Sequence, residues 1–192
     1  MKLVILDRDG TINSDSDDFV KTPDEWMPLP GALEAIARLN HAGWHVVIAS
    51  NQSGLGRGLF DVASLNAMHA KMHKMLSAVG GRVDAVFYCP HSPEESCNCR
   101  KPLPGLFEQI GERFGVSLKG VPTAGDSARD LQAGAAAGCE PHLVLTGKSA
   151  QYRNGGQPDG LPPGTFVHQD LPAFVDFILE KNERSLQGAL LK

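Results

Sequence analysis

Six short apolar runs punctuate the chain: Leu3–Leu6, Val46–Ala49, Ala85–Tyr88, Val121–Ala124, His142–Leu145 and Thr165–Val167. Brief runs of this kind, closed by turn residues, read as buried strands of a parallel sheet. Between them the apolar spacing changes to a helical period. Pro30-Gly31 opens a helix in which Leu33, Ile36, Ala37 and Leu39 share a face, and Gly43 ends it. Asp61 suits the N-cap of a long helix carrying Leu65, Met68, Met72, Met75, Leu76 and Val79, with the methionines as core filler. Further helices are predicted from about Pro104 to Phe114, through the alanine-rich stretch to Gly138, and from Leu171 to Leu179. Strands alternating with helices predict an α/β fold with a doubly wound parallel sheet, Rossmann-like in its winding.

The segment from Asn13 to Pro30 is polar and acidic, and Pro23, Pro28 and Pro30 break any regular element. It is expected to be a loop or small flap, too short for a separate cap domain. Neither a repeat nor a linker divides the chain, so residues 1–182 are read as one domain and residues 183–192 as a charged tail that frays. The 192 residues are 42% hydrophobic and 21% charged, ordinary for a globular protein, and the net charge of -4 argues against nucleic-acid or anionic-membrane binding. The N-terminal apolar run is too short for an export signal and no run approaches a membrane span, so a cytoplasmic monomer is expected. In that compartment the four cysteines are reduced or metal-bound rather than paired.

The first strand runs into Asp7-Arg8-Asp9-Gly10-Thr11. In open α/β sheets ligands bind beyond the carboxyl ends of the strands. Asp7 and Asp9 are two positions apart, so an extended backbone would point both carboxylates the same way, and a divalent cation would offset their repulsion. Gly10 would permit a tight bend, held by the Thr11 hydroxyl on nearby backbone. A solvated turn or helix cap is the plainer reading of an acid pair placed there. Further polar groups end the later strands: Ser50 and Asn51 after the second, Arg100 and Lys101 downstream of the third, Asp126 after the fourth. His69 and His73, four apart on the long helix, lack an acidic partner and are read as a solvated face rather than a metal site.

The string D-R-D-G-T, Ser50, Lys101 and the G-D-S-A-R-D around Asp126, in that order, resemble the four motifs of the haloacid dehalogenase superfamily of phosphohydrolases over about Leu3 to Gly138. The resemblance implies that Asp7 is a nucleophile forming an aspartyl-phosphate and that Asp9 is the general acid and base. It places Mg²⁺ on the Asp7 carboxylate, the Asp9 main-chain carbonyl and Asp126. Ser50, the Asn51 amide and Lys101 would hold the phosphoryl oxygens. Asp130 is either an acid behind this site or an ordinary carboxylate at a helix N-terminus.

Cys89-Pro90-His91 and Cys97-Asn98-Cys99 offer three thiolates and one imidazole in a turn-rich loop, a set suited to tetrahedral Zn²⁺. Reduced core cysteines are the alternative, but the flanking Pro, Ser, Glu and Asn make a poor core strand, and a C-x-C disulfide would be strained. Such a closed site would be structural and would fix the loop that presents Arg100 and Lys101. Cys139 is expected simply to be packed.

With S-N-Q-S-G-L-G-R-G and C-R-K-P-x-P-G, the zinc loop is similar to that of the heptose bisphosphate phosphatases, a branch close to the histidinol-phosphate phosphatases. That similarity implies a capless enzyme releasing the 7-phosphate of a heptose 1,7-bisphosphate on the way to nucleotide-activated heptose. Asn51, Gln52, Ser53, Arg57, Arg100 and Lys101 would contact this sugar phosphate. Arg57-Gly58 and Pro104-Gly105 look more like the heptose enzymes, whereas the Asp15–Phe19 flap departs from their form. Histidinol-phosphate phosphatase is the runner-up, and a receiver-type signalling domain and a non-catalytic zinc-stabilised module are the rivals from other classes. A receiver would carry its acceptor aspartate on a later strand than the acid pair, and the second strand here ends in Ser50 instead.

Overall fold

The structure, a computed structural model, describes residues 1–190. Six strands form one parallel sheet in the order β3-β2-β1-β4-β5-β6: β1 Lys2–Leu6, β2 Trp44–Asn51, β3 Ala85–Cys89, β4 Pro122–Gly125, β5 Glu140–Val144 and β6 Phe166–His168. The helices are α1 Ala32–His41, α2 Ser53–Gly56, α3 Val62–Ala78, α4 Gly105–Phe114, α5 Ala128–Ala136 and α6 Leu171–Leu190. Side chains alternate across each strand, so the two faces bury different sets. Val4, Leu6, Val46 and Ile48 pack on one side with Leu33, Ile36, Leu65, Met68, Phe174 and Ile178 of α1, α3 and α6. Leu3, Ile5, Val47 and Ala49 pack on the other with Leu106, Phe107, Ile110 and Ala133 of α4 and α5. The doubly wound α/β prediction is met, and Met68 and Met72 are core filler as expected.

The winding reverses beside β1. The chain steps outward through β2 and β3, then returns to lay β4 on the other edge of β1. A crevice opens at such a switch point, outside the strand ends. Here it lies between Asp7, whose N–H donates to the Ala124 carbonyl at 2.9 Å, and Asp126. The acidic segment after β1 remains irregular, but its Val20 and Trp26 are buried in the core, and the Lys71 ammonium donates to the carbonyls of Pro23 and Trp26. Nothing larger is inserted there among the described residues.

The C-terminus differs from expectation. The helix does not stop near Leu179 but continues to Leu190. Pro172 sits in its first turn, where proline is tolerated, and nothing from there to Gly188 breaks it. Arg184 pairs with Glu180 one turn away and the Ser185 hydroxyl donates to the Lys181 carbonyl. The run of charges signalled exposure, which the structure shows, not loss of helix. Lys192 and Leu191 of the expected tail lie outside the described residues. Among the described residues no helix is long and apolar enough to cross a membrane.

Candidate active site

Beyond Leu6 the chain bends at Arg8 instead of running on extended. Gly10 takes φ +83°, and a Cβ there would strike the Asp126 carboxylate, so glycine is required on two counts. The bend is held by Gly10 N–H on the Asn13 carbonyl and Ile12 N–H on the Arg8 carbonyl. The Thr146 hydroxyl donates to the Gly10 carbonyl at 2.6 Å. Thr11 does not supply the brace expected of it: its buried hydroxyl has no partner among the described residues.

The bend also separates the acid pair, against the expectation of two carboxylates pointing one way. Asp7 joins Asp126 and Asp130, their ligand oxygens within 4.8 Å of one another. Asp9 turns instead to the Arg8 guanidinium, which forks onto it at 3.0 Å from both Nε and Nη2, and accepts from Asn13 at 2.8 Å and Gln52 at 2.9 Å. Both acids still line one cleft of about 230 Å³. Their charge states diverge accordingly. Burial pushes Asp7 up to about 7, against the pull of Lys101. Burial would raise Asp9 too, but Arg8 and the amide donors outweigh it and hold the carboxyl below its ordinary value. Asp126 is driven up by burial and then by Asp130 and Asp7.

Lys101 enters from the loop after β3 and is 2% exposed. Its ammonium donates to Asp7 Oδ1 and the Ala49 carbonyl, both at 2.7 Å, and lies 2.8 Å from Asp130 Oδ1. Burial would lower its pKa, yet Asp130 and Asp7 raise it, so the lysine stays charged. Asp130 fills both of the roles proposed for it: it closes a capping box with Ser127 at the start of α5 and pairs Lys101. Ser50, at the end of β2, is buried with its hydroxyl accepting from Gln52 Nε2 at 2.7 Å. The Asn51 side chain clamps Lys101 from both sides, donating to its carbonyl at 3.1 Å and accepting from its N–H at 3.0 Å. Gln52, expected to touch substrate, bridges Ser50 and Asp9 and is buried; Ser53 lines the cleft at the start of α2.

Arg57 and Arg100 stand on one wall. Arg57 lies 5.9 Å over the Phe19 ring of the flap and 3.9 Å from Glu94, and Arg100 reaches the His91 carbonyl at 3.5 Å. On the other wall are Arg129 and Lys148, which the sequence reading passed over. The Lys148 N–H donates to Asp126 Oδ2 at 2.7 Å, and the Ser149 hydroxyl to the Asp126 carbonyl at 2.6 Å. Both belong to a turn of 3-10 helix, Gly147–Tyr152, that follows β5. The strand-end rule that found the other groups also points there. Arg8 was overlooked because it is flanked by the two acids; it is fully buried. His69, read as solvated, is half-buried with Nε2 3.2 Å from Arg8 Nη1, while His73 is exposed as expected.

Cys89, His91, Cys97 and Cys99 bring four ligand atoms within 4.8 Å of one another. Cys89 and Cys97 Sγ are 3.8 Å apart, and His91 Nδ1 lies 3.4 Å from Cys89 Sγ and 3.3 Å from Cys99 Sγ. Four donors at about 2.3 Å from a tetrahedral centre have edges of about 3.8 Å between sulfurs, so the set fits zinc. Cys139 lies apart, buried against α4 and α5.

A doubly wound sheet with an aspartate beyond β1, a hydroxyl at β2, a buried lysine after β3 and an aspartate beyond β4 defines a phosphohydrolase of the haloacid dehalogenase type. The comparisons agree: a family model described as polynucleotide kinase 3 phosphatase matches residues 2–151. The D-glycero-beta-D-manno-heptose-1,7-bisphosphate 7-phosphatase of Bordetella bronchiseptica is 59% identical over 94% of this chain and 99% of its own, and that of Pseudomonas aeruginosa 52% over 93% and 98%. The crystal structure of D,D-heptose 1,7-bisphosphate phosphatase from B. bronchiseptica, complexed with magnesium and phosphate, superposes with a TM-score of 0.90 at 58% identity, covering 94% of this chain and 99% of that one. The chain belongs to this family of phosphatases within the haloacid dehalogenase superfamily, and it is a phosphoric monoester hydrolase.

Proposed function

We propose that the protein hydrolyses the 7-phosphate of D-glycero-D-manno-heptose 1,7-bisphosphate through an aspartyl-phosphate on Asp7. The observation that carries this reading is the cleft itself. It holds a carboxylate pair with divided surroundings beside a buried lysine, and arginines 57 and 100 beyond. In the first half-reaction an Asp7 oxygen attacks phosphorus, the ester bond breaks, and the departing sugar oxygen takes a proton from Asp9. In the second, Asp9 removes a proton from water as it attacks the same phosphorus, returning free Asp7 and phosphate. The Arg8 fork keeps Asp9 ionised in the free site, as the second step needs. A phosphate dianion brought alongside raises its pKa for the first.

Ser50, the Asn51 main-chain amide and Lys101 would hold the phosphoryl oxygens as charge spreads over them. The hard oxygens of Asp7 and Asp126, with the Asp9 main-chain carbonyl, suit Mg²⁺. When bound, that ion neutralises the clustered acids and polarises the phosphoryl group. Zinc in the cysteine loop is structural in this reading, since all four positions are taken by protein. The thiols being free rather than disulfide-paired is in keeping with a cytoplasmic protein.

Only one phosphate of the substrate can lie over Asp7, so the other needs cations elsewhere, and the Arg57–Arg100 wall supplies them. A second reading has a definite basis: Asp15 and Asp17 also line the cleft and would suit the cationic amine of histidinol phosphate. Phosphate release from both compounds, with Mg²⁺, separates the two. The heptose bisphosphate is expected to show the higher kcat/KM, and the reverse order would replace this proposal. Arg100→Ala should raise KM for the bisphosphate about tenfold, for a charge-assisted contact of about 1.5–3 kcal/mol, and leave p-nitrophenyl phosphate little changed.

A further inference from the structure

Arg8 is a fully buried guanidinium between the two acids of the D-x-D turn; it holds the charge of Asp9 but contacts none of the reacting atoms in either half-reaction. Its Nε and one Nη2 hydrogen fork onto the Asp9 carboxylate. Outside Asp9 it has two hydrogen-bonding contacts among the described residues: Gln52 Oε1 at a long 3.4 Å from Nη2, and His69 Nε2 at 3.2 Å from Nη1. A guanidinium only donates, so His69 must present a lone pair at Nε2 and carry its proton on Nδ1. His69 projects from α3, which Leu65, Met68 and Met72 lock into the core on either side of it. The other donors to Asp9 belong to short loops: Asn13 to the bend after β1, and Gln52 to the turn before α2. The helix therefore provides the one support for this network that comes from a long, rigid element.

We propose that Arg8 and His69 form a positioning pair, His69 fixing the guanidinium fork that sets the Asp9 carboxylate for proton transfer. The inference rests on the phosphatase reading, though not on which sugar is cleaved. A carboxylate that accepts from four donors is only as well placed as those donors are. With the His69 acceptor gone, a buried Arg8 N–H loses its partner and the fork is free to shift or seek another oxygen. Misplacing a proton-transfer group by about an ångström is enough to slow chemistry without loosening substrate. His69 touches neither substrate nor reacting atoms in this scheme. It acts through Arg8.

The test compares His69→Leu, which removes the acceptor, with His69→Gln, whose carbonyl restores one on a residue that favours helix. With p-nitrophenyl phosphate and Mg²⁺, the leucine variant should lose about tenfold or more in kcat with KM within twofold of the wild type, and the glutamine variant should recover most of it. Single-turnover assays should show phosphoenzyme formation and breakdown both slowed, because Asp9 serves both. A fold-only role would lower the melting temperature and leave kcat per folded molecule intact. That result, or a glutamine variant as slow as the leucine one, overturns the proposal. If the leucine variant does not fold, His69→Ala with and without added imidazole replaces it. A loss of kcat that imidazole reverses supports the pair, and activity indifferent to imidazole removes it. A wild-type protein that releases no phosphate from any ester would instead overturn the phosphatase reading itself.

Discussion

Asp7 and Asp9 share a turn but not an environment. Asp7 faces a charged lysine and two further buried acids, while Asp9 is wrapped by donors. Replacing each by its amide therefore has different consequences. Asp7→Asn should leave no measurable turnover and no phosphoenzyme, because an amide oxygen is a poor nucleophile. Asp9→Asn should keep the binding cleft, so vanadate still binds, while both half-reactions slow by about 10²–10⁴-fold. Substantial steady-state turnover by Asp7→Asn would sink the covalent mechanism. At this scale the candidate set was legible as a group, because strand ends in a parallel sheet converge on one edge and Ser50, Lys101 and Asp126 all end or follow strands. Side-chain direction was not legible. The extended-backbone argument failed for Asp9 because the turn begins at Arg8, and nothing local in a D-R-D string reveals that the middle residue is the buried one. Gln52 lines the cleft as expected, but its inward role was not legible. Its amide joins Ser50 to Asp9, a bond between residues at the ends of different strands that the local string does not reveal.

Two elements fix the site's edges by different means. After β3 the loop has no regular structure to hold it, and the Cys89-His91-Cys97-Cys99 cluster lies immediately before Arg100 and Lys101. Elemental analysis should find about one tightly held zinc per chain, and Cys97→Ser should lower both zinc content and melting temperature, with activity falling as Lys101 is displaced. Full stability in a zinc-free protein would refute a structural metal. At the far edge of the sheet, β6 is tied to β5 by a partly buried polar relay. His142 Nε2 donates to Glu140 Oε1 at 3.1 Å, so its Nδ1 accepts from His168 Nε2 at 2.9 Å, and Lys181 of α6 closes on Glu140. Burial lowers His142 and His168 to about 4 from 6.5. Between those values the unfolded chain binds more protons, so this stability is complete above about pH 6.5 and is lost as pH falls toward 4. The carboxylate of Glu140, held below its ordinary value against the effect of burial by Lys181, responds only at lower pH. The histidines' share of the urea midpoint, read as the difference between wild type and His142→Phe, should thus fall from pH 7 to pH 4.5, against the opposite contribution of the buried aspartates. His142→Phe would pack among Phe166, Phe174 and Phe177, and a difference independent of pH would exclude the relay. The strand pattern announced β5 and β6; the relay itself needs residues 26 apart and could not be read along the chain.

Across the whole molecule, the winding that gathers Asp7, Asp126 and Asp130 at one switch point places negative charge where burial already disfavours it. A fold assembled this way holds its active site at some cost in stability, and a bound cation relieves it. The pH dependence that follows has a sign opposite to that of the histidine relay. Asp7 and Asp126 have folded pKa values above those of the unfolded chain, so the folded state binds more protons and stability from these groups falls with rising pH, for Asp7 from about 4 through about 7. Mg²⁺ competes with those protons, and its affinity rises as they leave. The unfolded chain has no preformed site, so binding stabilises the folded state by mass action. Melting temperatures with and without Mg²⁺ should therefore differ little at pH 5 and increasingly toward pH 7.5. Asp126→Asn should melt higher than the wild type without the ion, since it removes one of the repelling charges, and should lose the response to Mg²⁺ together with activity. A magnesium response independent of pH would show that these carboxylates are already ionised in the free enzyme. An Asp126→Asn variant less stable than the metal-free wild type would show that the hydrogen bonds from Lys148 and Ser149, rather than charge, decide the stability of this corner.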